Sequence, residues 1–193
     1  MNKQELIDFE EEIKQLFLDK KIFAPVHLSV GSEEPLIKIF KDVKKDDWVF
    51  STHRSHYHAL LKGIDKNWLK NEILQKRSIH IYNKEHKFFA SAIMGGILPI
   101  AVGAAMAIKR KKKKEKVWAF IGDMTVEMGI THECMKYASR HNLSIVFVIE
   151  DNGVSVNTPT QEVWGESNSE PNIIRYKYER VYPHQGCGSW VVF

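Results

Sequence analysis

The sequence predicts an α/β fold with a doubly wound, mostly parallel sheet flanked by helices, and a strand–helix–strand unit near its middle is the main reason. Residues 117–121 and 144–149 are short, continuously apolar runs, which are typical of strands buried on both faces of a parallel sheet. Residues 127–141 between them carry a helical pattern. A helix that connects two such strands favours their parallel pairing.

The chain around this unit fits further helices and strands. Apolar residues at helical spacing, from Leu6 to Phe17, predict a first helix over residues 3–20. Ser32 is a candidate N-cap for a second helix. The other predicted elements are a strand at 48–50, a helix around 68–74, an irregular polar loop at 76–92 near a ligand, and a helix of small residues that starts at Pro99.

Length and composition indicate one globular domain. The 193 residues, 44% of them hydrophobic and 27% charged, are enough to bury a core. No apolar run is long enough to span a membrane, and the acidic, amphipathic N-terminus is unlike a signal peptide. Cys134 and Cys187 are expected to be free thiols of a reducing compartment, so we expect the protein to be cytoplasmic.

The formal net charge of +4 is largely local, because residues 109–114 form a basic run. Such a run is one way to bind nucleic acid. However, no aromatic residues interleave with it to stack on bases. A solvated loop is therefore favoured, and no nucleic-acid partner is expected.

The helical and strand patterns fade after residue 160, which suggests a division of the chain. Residues 1–160 are predicted to form the α/β domain. Residues 161–193 are rich in aromatic side chains, and we expect this tail to pack on the domain or on a partner.

Polar residues follow both central strands at their carboxyl ends. Asp123 follows the first strand within Gly122-Asp123-Met124, and Asn152 follows the second. Open α/β sheets bind their ligands at this edge. A carboxylate oxygen and an amide oxygen suit a hard cation such as Mg2+, which usually keeps a phosphate group in its shell. The sequence therefore predicts a site for magnesium and a phosphate ligand here.

Several sequence blocks together resemble one protein family. Gly122-Asp123 followed by a helix, a strand and residues 150–153 is similar to the thiamine diphosphate motif. The other matching blocks are residues 27–34, 46–63, 78–82, 91–105 and 154–160. Because they occur in the family's order, the chain resembles a short member of the alpha-subunit family of the decarboxylating component of 2-oxo acid dehydrogenase complexes.

This resemblance implies a site for thiamine diphosphate and Mg2+. Asp123, Asn152 and the backbone carbonyl of Val154 would ligate the metal. Arg54 would clamp the diphosphate, because a guanidinium offers forked donors to phosphate oxygens.

The resemblance also assigns roles to other side chains. His56, the histidine of an Arg-x-His segment, and His80, near the cofactor's phosphates, would have catalytic roles. The residues that would bind the cofactor are His53, Arg54, Ala92, Met94, Gly122, Asp123, Met124, Thr125, Asn152 and Val154.

Some positions leave other interpretations open. Met124 stands where the family usually has glycine, and Asp151 replaces the first of two asparagines. His53, His56 and His58 invite a zinc interpretation, but no cysteine or carboxylate at ligand spacing joins them.

The resemblance finally implies a partner. In this family a beta subunit carries the pyrimidine domain and the glutamate that activates the cofactor. We therefore expect a hetero-oligomer, such as a heterotetramer. The expected reaction is decarboxylation of a 2-oxo acid and transfer of an acyl or aldehyde fragment. The alternatives are a subunit of a split, transketolase-like enzyme and a degenerate homologue without turnover. The family's mobile, histidine-bearing loop has no clear counterpart, although His184 is a candidate substitute.

Overall fold

The computed structural model describes residues 1–165 and 173–184, so the predicted thiol of Cys187 lies outside the described residues. The helices are α1 (Lys3–Leu18), α2 (Glu33–Phe40), α3 (His56–Leu61), α4 (Lys66–Leu74), α5 (Ile97–Arg110), α6 (Asp123–Val126), α7 (Gly129–Arg140) and α8 (Thr160–Trp164). The strands are β1 (Trp48–Ser51), β2 (Tyr82–Asn83), β3 (Phe88–Ala90), β4 (Val117–Gly122), β5 (Ile145–Asp151), β6 (Val154–Ser155), β7 (Thr158–Pro159) and β8 (Ile173–Lys177).

The main sheet has the strand order β2-β3-β1-β4-β5-β8. Strands β3, β1, β4, β5 and β8 are parallel to one another, and β2 pairs antiparallel with β3 at one edge. A separate pair, β6 and β7, is antiparallel. The doubly wound, mostly parallel sheet predicted from the sequence is thus confirmed.

Helices cover both faces of the sheet, and β4 shows how its residues divide between them. Trp118 and Phe120 lie in the core that contains side chains of α1 to α4. Val117, Ala119 and Ile121 lie in the core that contains side chains of α5 and α7. None of these five residues is more than 3% exposed. Burial on both faces explains why the strand is a continuous apolar run in the sequence.

The N-terminal helices agree closely with their prediction. Helix α1 begins with a capping box, in which Asn2 Oδ1 accepts a hydrogen bond from the Glu5 N–H at 2.9 Å and Glu5 Oε2 accepts one from the Asn2 N–H at 2.7 Å. Ser32 occupies the N-cap position of α2, but its hydroxyl donates to the Ser29 carbonyl at 2.8 Å and makes no capping bond.

The prediction of an irregular loop over residues 76–92 was wrong for residues 82–83 and 88–90. Strands β2 and β3 lie within it, and β3 pairs with β1. Phe88 and Ala90 are buried on this strand, at 0% and 2% exposure. A strand of three residues is too short to show a clear alternation of apolar and polar residues, which is why the pattern was missed.

Two helix starts also differ from the prediction. The helix predicted from residue 127 begins at Gly129, because the one-turn helix α6 precedes it and the Thr131 hydroxyl donates to the Thr125 carbonyl at 2.6 Å. Helix α5 begins at Ile97 rather than at Pro99. Proline is tolerated within a first helical turn, where its missing N–H has no intrahelical partner.

The segment after residue 160 contributes one strand to the main sheet. Strand β8 pairs in parallel with β5, with Ile173 opposite Phe147 and Lys177 opposite Asp151. The domain boundary at residue 160 stays a prediction.

Other sequence features lie at the surface or in the helical layers. Lys109 and Arg110 form the last turn of α5, where positive charge is favourable at the helix C-terminus, and residues 111–114 are exposed. Cys134 is a buried free thiol in α7. Among the described residues, no helix has both the length and the apolar character needed to cross a membrane.

Asp47 provides a test of the fold away from the cavity described below. This carboxylate is 1% exposed and accepts hydrogen bonds from the Lys44 N–H at 3.0 Å, the Lys116 N–H at 2.8 Å and Trp118 Nε1 at 3.0 Å. We expect Asp47→Ala to lower the free energy of unfolding by about 3 kcal/mol, because buried donors lose a charged acceptor.

Chemical denaturation would measure this loss. The neighbouring Asp46, whose side chain is 81% exposed, is the matched control, and Asp46→Ala should change the free energy by no more than about 0.5 kcal/mol. Equal effects of the two substitutions would contradict the role assigned to Asp47.

Candidate functional site

The carboxyl ends of β1, β3, β4, β5 and β8 meet at one edge of the main sheet, and the segments that follow them enclose a cavity of about 400 Å3. This volume lies in the usual range for small-molecule sites. All ten residues predicted to bind the cofactor line this cavity: His53, Arg54, Ala92, Met94, Gly122, Asp123, Met124, Thr125, Asn152 and Val154.

Asp123 lies at the tip of β4, where α6 begins, and is 3% exposed. Its Oδ2 accepts a hydrogen bond from the Thr160 hydroxyl. Burial raises the pKa of this carboxyl above its ordinary value. A cation next to Asp123 would offset that cost of holding the carboxylate charged.

Asn152 is fixed in the turn that follows β5. Its Oδ1 accepts a hydrogen bond from the Val154 N–H at 3.1 Å, and its Nδ2 donates to the Tyr178 hydroxyl at 3.0 Å. The amide side chain is therefore held by its own loop and by the segment after β8.

Asp151, one of the two departures from the family pattern, does not line the cavity. Its Oδ2 lies 3.0 Å from Arg175 Nη1 on β8, and its Oδ1 accepts a hydrogen bond from the Gly153 N–H at 3.0 Å. Its added negative charge is thus compensated by an adjacent cation.

The three predicted metal ligands have donors of one kind. Asp123 offers a carboxylate, Asn152 an amide oxygen and Val154 a backbone carbonyl, and all three residues line the cavity. Hard cations such as Mg2+ prefer oxygen ligands of these types. The donor set therefore fits the predicted metal.

Arg54 is a buried cation in the cavity wall, with 8% exposure. Its Nη1 donates to the Leu28 carbonyl at 2.5 Å and its Nη2 to the His184 carbonyl at 3.1 Å. No carboxylate of the described residues forms a salt bridge with it. Burial lowers the pKa of this guanidinium, although Tyr178, Glu10 and Glu150 act to raise it. Its hydrogen bonds to Leu28 and His184 go to neutral carbonyls, so the wall at Arg54 favours an anion.

Three histidines lie next to Arg54. His27, from the segment before α2, and His53, from the end of β1, approach His184 from the segment after β8, with ring centroids 4.3 to 5.6 Å apart. Burial lowers the pKa of His27 to about 3 and that of His53 to about 2. Both imidazoles are therefore neutral at neutral pH.

Another part of the cavity wall is apolar. Ala92 and Met94, which follow β3, line the cavity together with Met128. Gly95 has φ +75°, and a Cβ at this position would lie 3.1 Å from side-chain atoms of Met128 and Ile130. A glycine here lets the loop after β3 lie close against α7.

A second glycine allows the last described segment to complete the wall. Gly31 has φ +110°, and a Cβ added to it would lie 2.2 Å from the Glu179 carbonyl oxygen. The loop before α2 and the segment after β8 therefore meet backbone to backbone.

Comparison with known proteins identifies the family. The family model of the dehydrogenase E1 component matches residues 1–175. The chain belongs to this family. The resemblance found in the sequence is thus confirmed.

The relatives are alpha subunits. Subunit alpha-3 of the chloroplastic pyruvate dehydrogenase E1 component from Arabidopsis thaliana is 34% identical over 160 residues, which cover 75% of this chain and 37% of that protein. The alpha subunit of acetoin:2,6-dichlorophenolindophenol oxidoreductase from Bacillus subtilis is 32% identical over 165 residues, 80% of this chain and 50% of that protein.

A third relative gives the same picture. The alpha subunit of the pyruvate dehydrogenase E1 component from Rickettsia prowazekii is 30% identical over 160 residues, which cover 78% of this chain and 49% of that protein. The chain thus spans half or less of the length of these curated relatives.

Met124, the other departure from the family pattern, is partly accommodated. Its side chain lines the cavity, and its sulfur accepts a hydrogen bond from Trp164 Nε1 at 3.1 Å. Trp164 on α8 thus contacts the methionine side chain, and a glycine at this position could not make that contact.

The structure does not bring His56 and His80 to the cavity wall. His56 is fully buried, with Nε2 2.9 Å from the Ser78 hydroxyl and Nδ1 3.4 Å from Glu10 Oε1. His80 is exposed in the turn before β2. Their catalytic roles stay predictions, and the geometry of His56 fits a residue that positions the segment carrying Arg54.

The histidines weighed as zinc ligands also separate. His58 Nε2 lies 3.1 Å from Glu150 Oε1, and His56 lies against Glu10. In the part of the chain that the structure describes, His53 instead clusters with His27 and His184.

Sequence analysis missed Glu10 as a residue that supports the site. This carboxylate is fully buried on α1, and its Oε2 accepts a hydrogen bond from the Ser29 N–H at 2.6 Å, two residues after His27. Its position among Leu6, Phe9 and Ile13 on the apolar face of the helix was the available indication, since a charge on a buried face requires partners.

The neutral, buried histidines predict a dependence of stability on pH. The unfolded chain binds protons on His27 and His53 as pH falls below about 6.5, whereas the folded chain does so only near about 3 and about 2. Below about pH 6.5 the unfolded state therefore binds more protons than the folded state. As pH falls through this window, the free energy of unfolding should decrease by up to about 1.4 kcal/mol per pH unit for each residue.

Denaturation at several pH values between about 6.5 and about 5 measures this slope. Most carboxylates titrate below this range and therefore do not contribute to it. His53→Gln should reduce it, and His141→Gln, which changes an exposed histidine, should leave it unchanged. An unaltered slope in His53→Gln would show that His53 takes up its proton in the folded state as well.

Proposed function

We propose that this chain is the alpha-type subunit of a two-chain, thiamine diphosphate-dependent enzyme that acts on a 2-oxo acid. The cavity at the carboxyl ends of the strands would hold the diphosphate and Mg2+, and a beta-like subunit would complete the site. The observation that carries this proposal is the pairing, in one cavity, of the buried cation Arg54 with oxygen donors at the tips of β4 and β5.

Arg54 supports the diphosphate. A buried guanidinium whose hydrogen bonds to Leu28 and His184 go to neutral carbonyls gains from an anion. A diphosphate supplies several oxygens that match the forked donors of arginine. Because the cation is already held in place, little side-chain entropy is lost when the anion binds.

The oxygen donors support the metal. Asp123 and Glu150 bring negative charge to the same cavity, which by itself would repel a diphosphate. Asp123, Asn152 and the Val154 carbonyl would hold a divalent cation, whose charge would offset that repulsion. Cofactor binding should therefore require Mg2+.

Thiamine diphosphate, when bound, supplies the carbanion chemistry needed to break the bond next to a carbonyl. The chain itself supplies binding, orientation and charge. Arg54 and the oxygen donors would hold the diphosphate end, and Ala92 and Met94 would offer apolar contact to the ring end. Glu10 and His56 position the segments that carry His27 and Arg54.

Exposed apolar side chains support a partner subunit. Ile93 and Met128, on the loop after β3 and at the start of α7, are 69% and 38% exposed, and Ile100 on α5 is 51% exposed. Exposed apolar residues next to a site favour a protein interface. We propose that the beta-like subunit covers this region and supplies the activating glutamate, and that the assembly is cytoplasmic.

One observation favours a second candidate function. The side chain of Met124 occupies part of the cavity wall where the family usually has glycine, and Trp164 holds it there. A homologue that keeps the fold and has lost turnover would tolerate this change. Such a protein would bind the cofactor weakly or without a requirement for Mg2+.

Calorimetric titration of the full chain with thiamine diphosphate, with and without Mg2+ and in the presence of the beta-like chain, tests the proposal. We expect binding that requires Mg2+. Asp123→Asn should weaken it about 10- to 100-fold, because a charged metal ligand is lost.

The matched control is Asp42→Asn, which changes an exposed aspartate after α2 and should leave binding unchanged. Binding that ignores Mg2+, or that survives Asp123→Asn at full strength, would refute the metal assignment. Tight, Mg2+-dependent binding without turnover of any 2-oxo acid would favour the degenerate homologue.

A further inference from the structure

A cluster of imidazoles in the cavity wall has ligand chemistry that the proposed magnesium site does not use. One ring nitrogen from each of His27, His53 and His184 lies within 4.8 Å of the other two. The three histidines come from segments far apart in the sequence, so no local sequence motif predicts the cluster. We propose that these three histidines bind a transition-metal ion of the zinc class.

The hydrogen bond of His27 prepares one ligand. The Nδ1 of His27 is bonded to the backbone carbonyl of His184. Because a carbonyl can only accept, Nδ1 carries the proton and Nε2 is left with a free lone pair. Metal-binding histidines characteristically donate their second ring N–H to a carbonyl or a carboxylate in this way.

The second ligand is a buried nitrogen without a partner. His53 Nε2 is inaccessible to solvent and has no hydrogen-bond partner among the described residues. A buried polar atom left in this state costs free energy. A metal ion in the cluster would satisfy this atom.

The third ligand is the most adjustable of the three. His184 is half-buried in the segment after β8, and its ring centroid lies 4.7 Å from that of His27 and 5.6 Å from that of His53. Tetrahedral coordination at about 2.1 Å per ligand brings the nitrogens to about 3.4 Å from one another. Binding an ion would therefore require the ring nitrogens, which now lie within 4.8 Å of one another, to move closer together.

The charge state of the cluster suits a metal. Burial lowers the pKa of all three imidazoles, so they are neutral near pH 7 and compete little with protons for the ion. Arg54 and Arg180 lie nearby and oppose any cation. The site should therefore bind more weakly than a closed structural zinc site and keep an open position for water.

The two proposed metal sites differ in the ions that they select. Imidazole nitrogens suit zinc, cobalt, nickel and copper, whereas the carboxylate, amide and carbonyl oxygens around Asp123 suit magnesium. Excess Mg2+ should therefore leave zinc binding unchanged, and so should Asp123→Asn. These two results would show that zinc binding does not depend on the proposed magnesium and cofactor site.

Calorimetric titration of the chelator-treated full chain with Zn2+ tests the site. We expect one equivalent to bind, and we expect His53→Ala and His184→Ala to weaken it at least about 100-fold, since the loss of even an outer-shell partner costs about 10- to 100-fold. His141→Ala, which removes an exposed histidine, is the matched control and should bind as the unaltered chain does.

A second measurement identifies the ligands. X-ray absorption of the zinc-loaded chain should show a shell of imidazole nitrogens without sulfur, and the Co2+ form should show the visible bands of a tetrahedral ion. His184→Gln, at a half-buried position, keeps the test usable if His53→Ala folds poorly. Full-strength binding in His184→Gln, an equal loss in His141→Ala, or sulfur in the metal shell would overturn the proposal.

Discussion

The Arg54 guanidinium is the interaction on which the architecture of the site depends. It joins the carbonyl of Leu28, before α2, to the carbonyl of His184, after β8, and it does so from the end of β1. Three segments that are distant in the sequence thus share one buried cation. Its charge keeps them together, and no carboxylate of the described residues forms a salt bridge with it.

Support for this cation extends outward through buried carboxylates. Glu10 on α1 holds the Ser29 N–H and lies against His56, which begins α3 directly after the Arg54 segment. Glu150 on β5 lies against His58 and accepts a hydrogen bond from the Tyr176 hydroxyl at 2.5 Å. Glu10 Oε1, His56 Nδ1 and His58 Nε2 have no hydrogen-bond partner among the described residues, so hydrogen bonds satisfy this network only in part.

Much of the fold and most of the cavity wall could be predicted from the sequence, for a geometric reason. Strands β4 and β5 are buried on both faces, so their apolar runs are unmistakable, and parallel pairing brings their carboxyl ends to one edge. Asp123 and Asn152 therefore had to lie close to each other. The blocks that resemble the family then placed Arg54, Ala92 and Met94 at the same edge.

The parts that could not be predicted depend on contacts between remote segments. Strand β8 lies at the edge of the sheet and is only partly buried, so its residues lack a strong pattern. Glu10, His27 and His184 acquire their roles only when α1, the loop before α2 and the segment after β8 converge. No local spacing encodes that convergence.

The backbone contact at Gly31 has a consequence for how the protein matures on the ribosome. The wall is closed by the Glu179 carbonyl, which abuts Gly31, a residue far earlier in the sequence. While the nascent polypeptide is still being extended, the central strands can already pair. The cavity stays open on one side until translation has passed the codon for residue 184. The pocket can therefore close only after strands β1, β3, β4, β5 and β8 have all been synthesised.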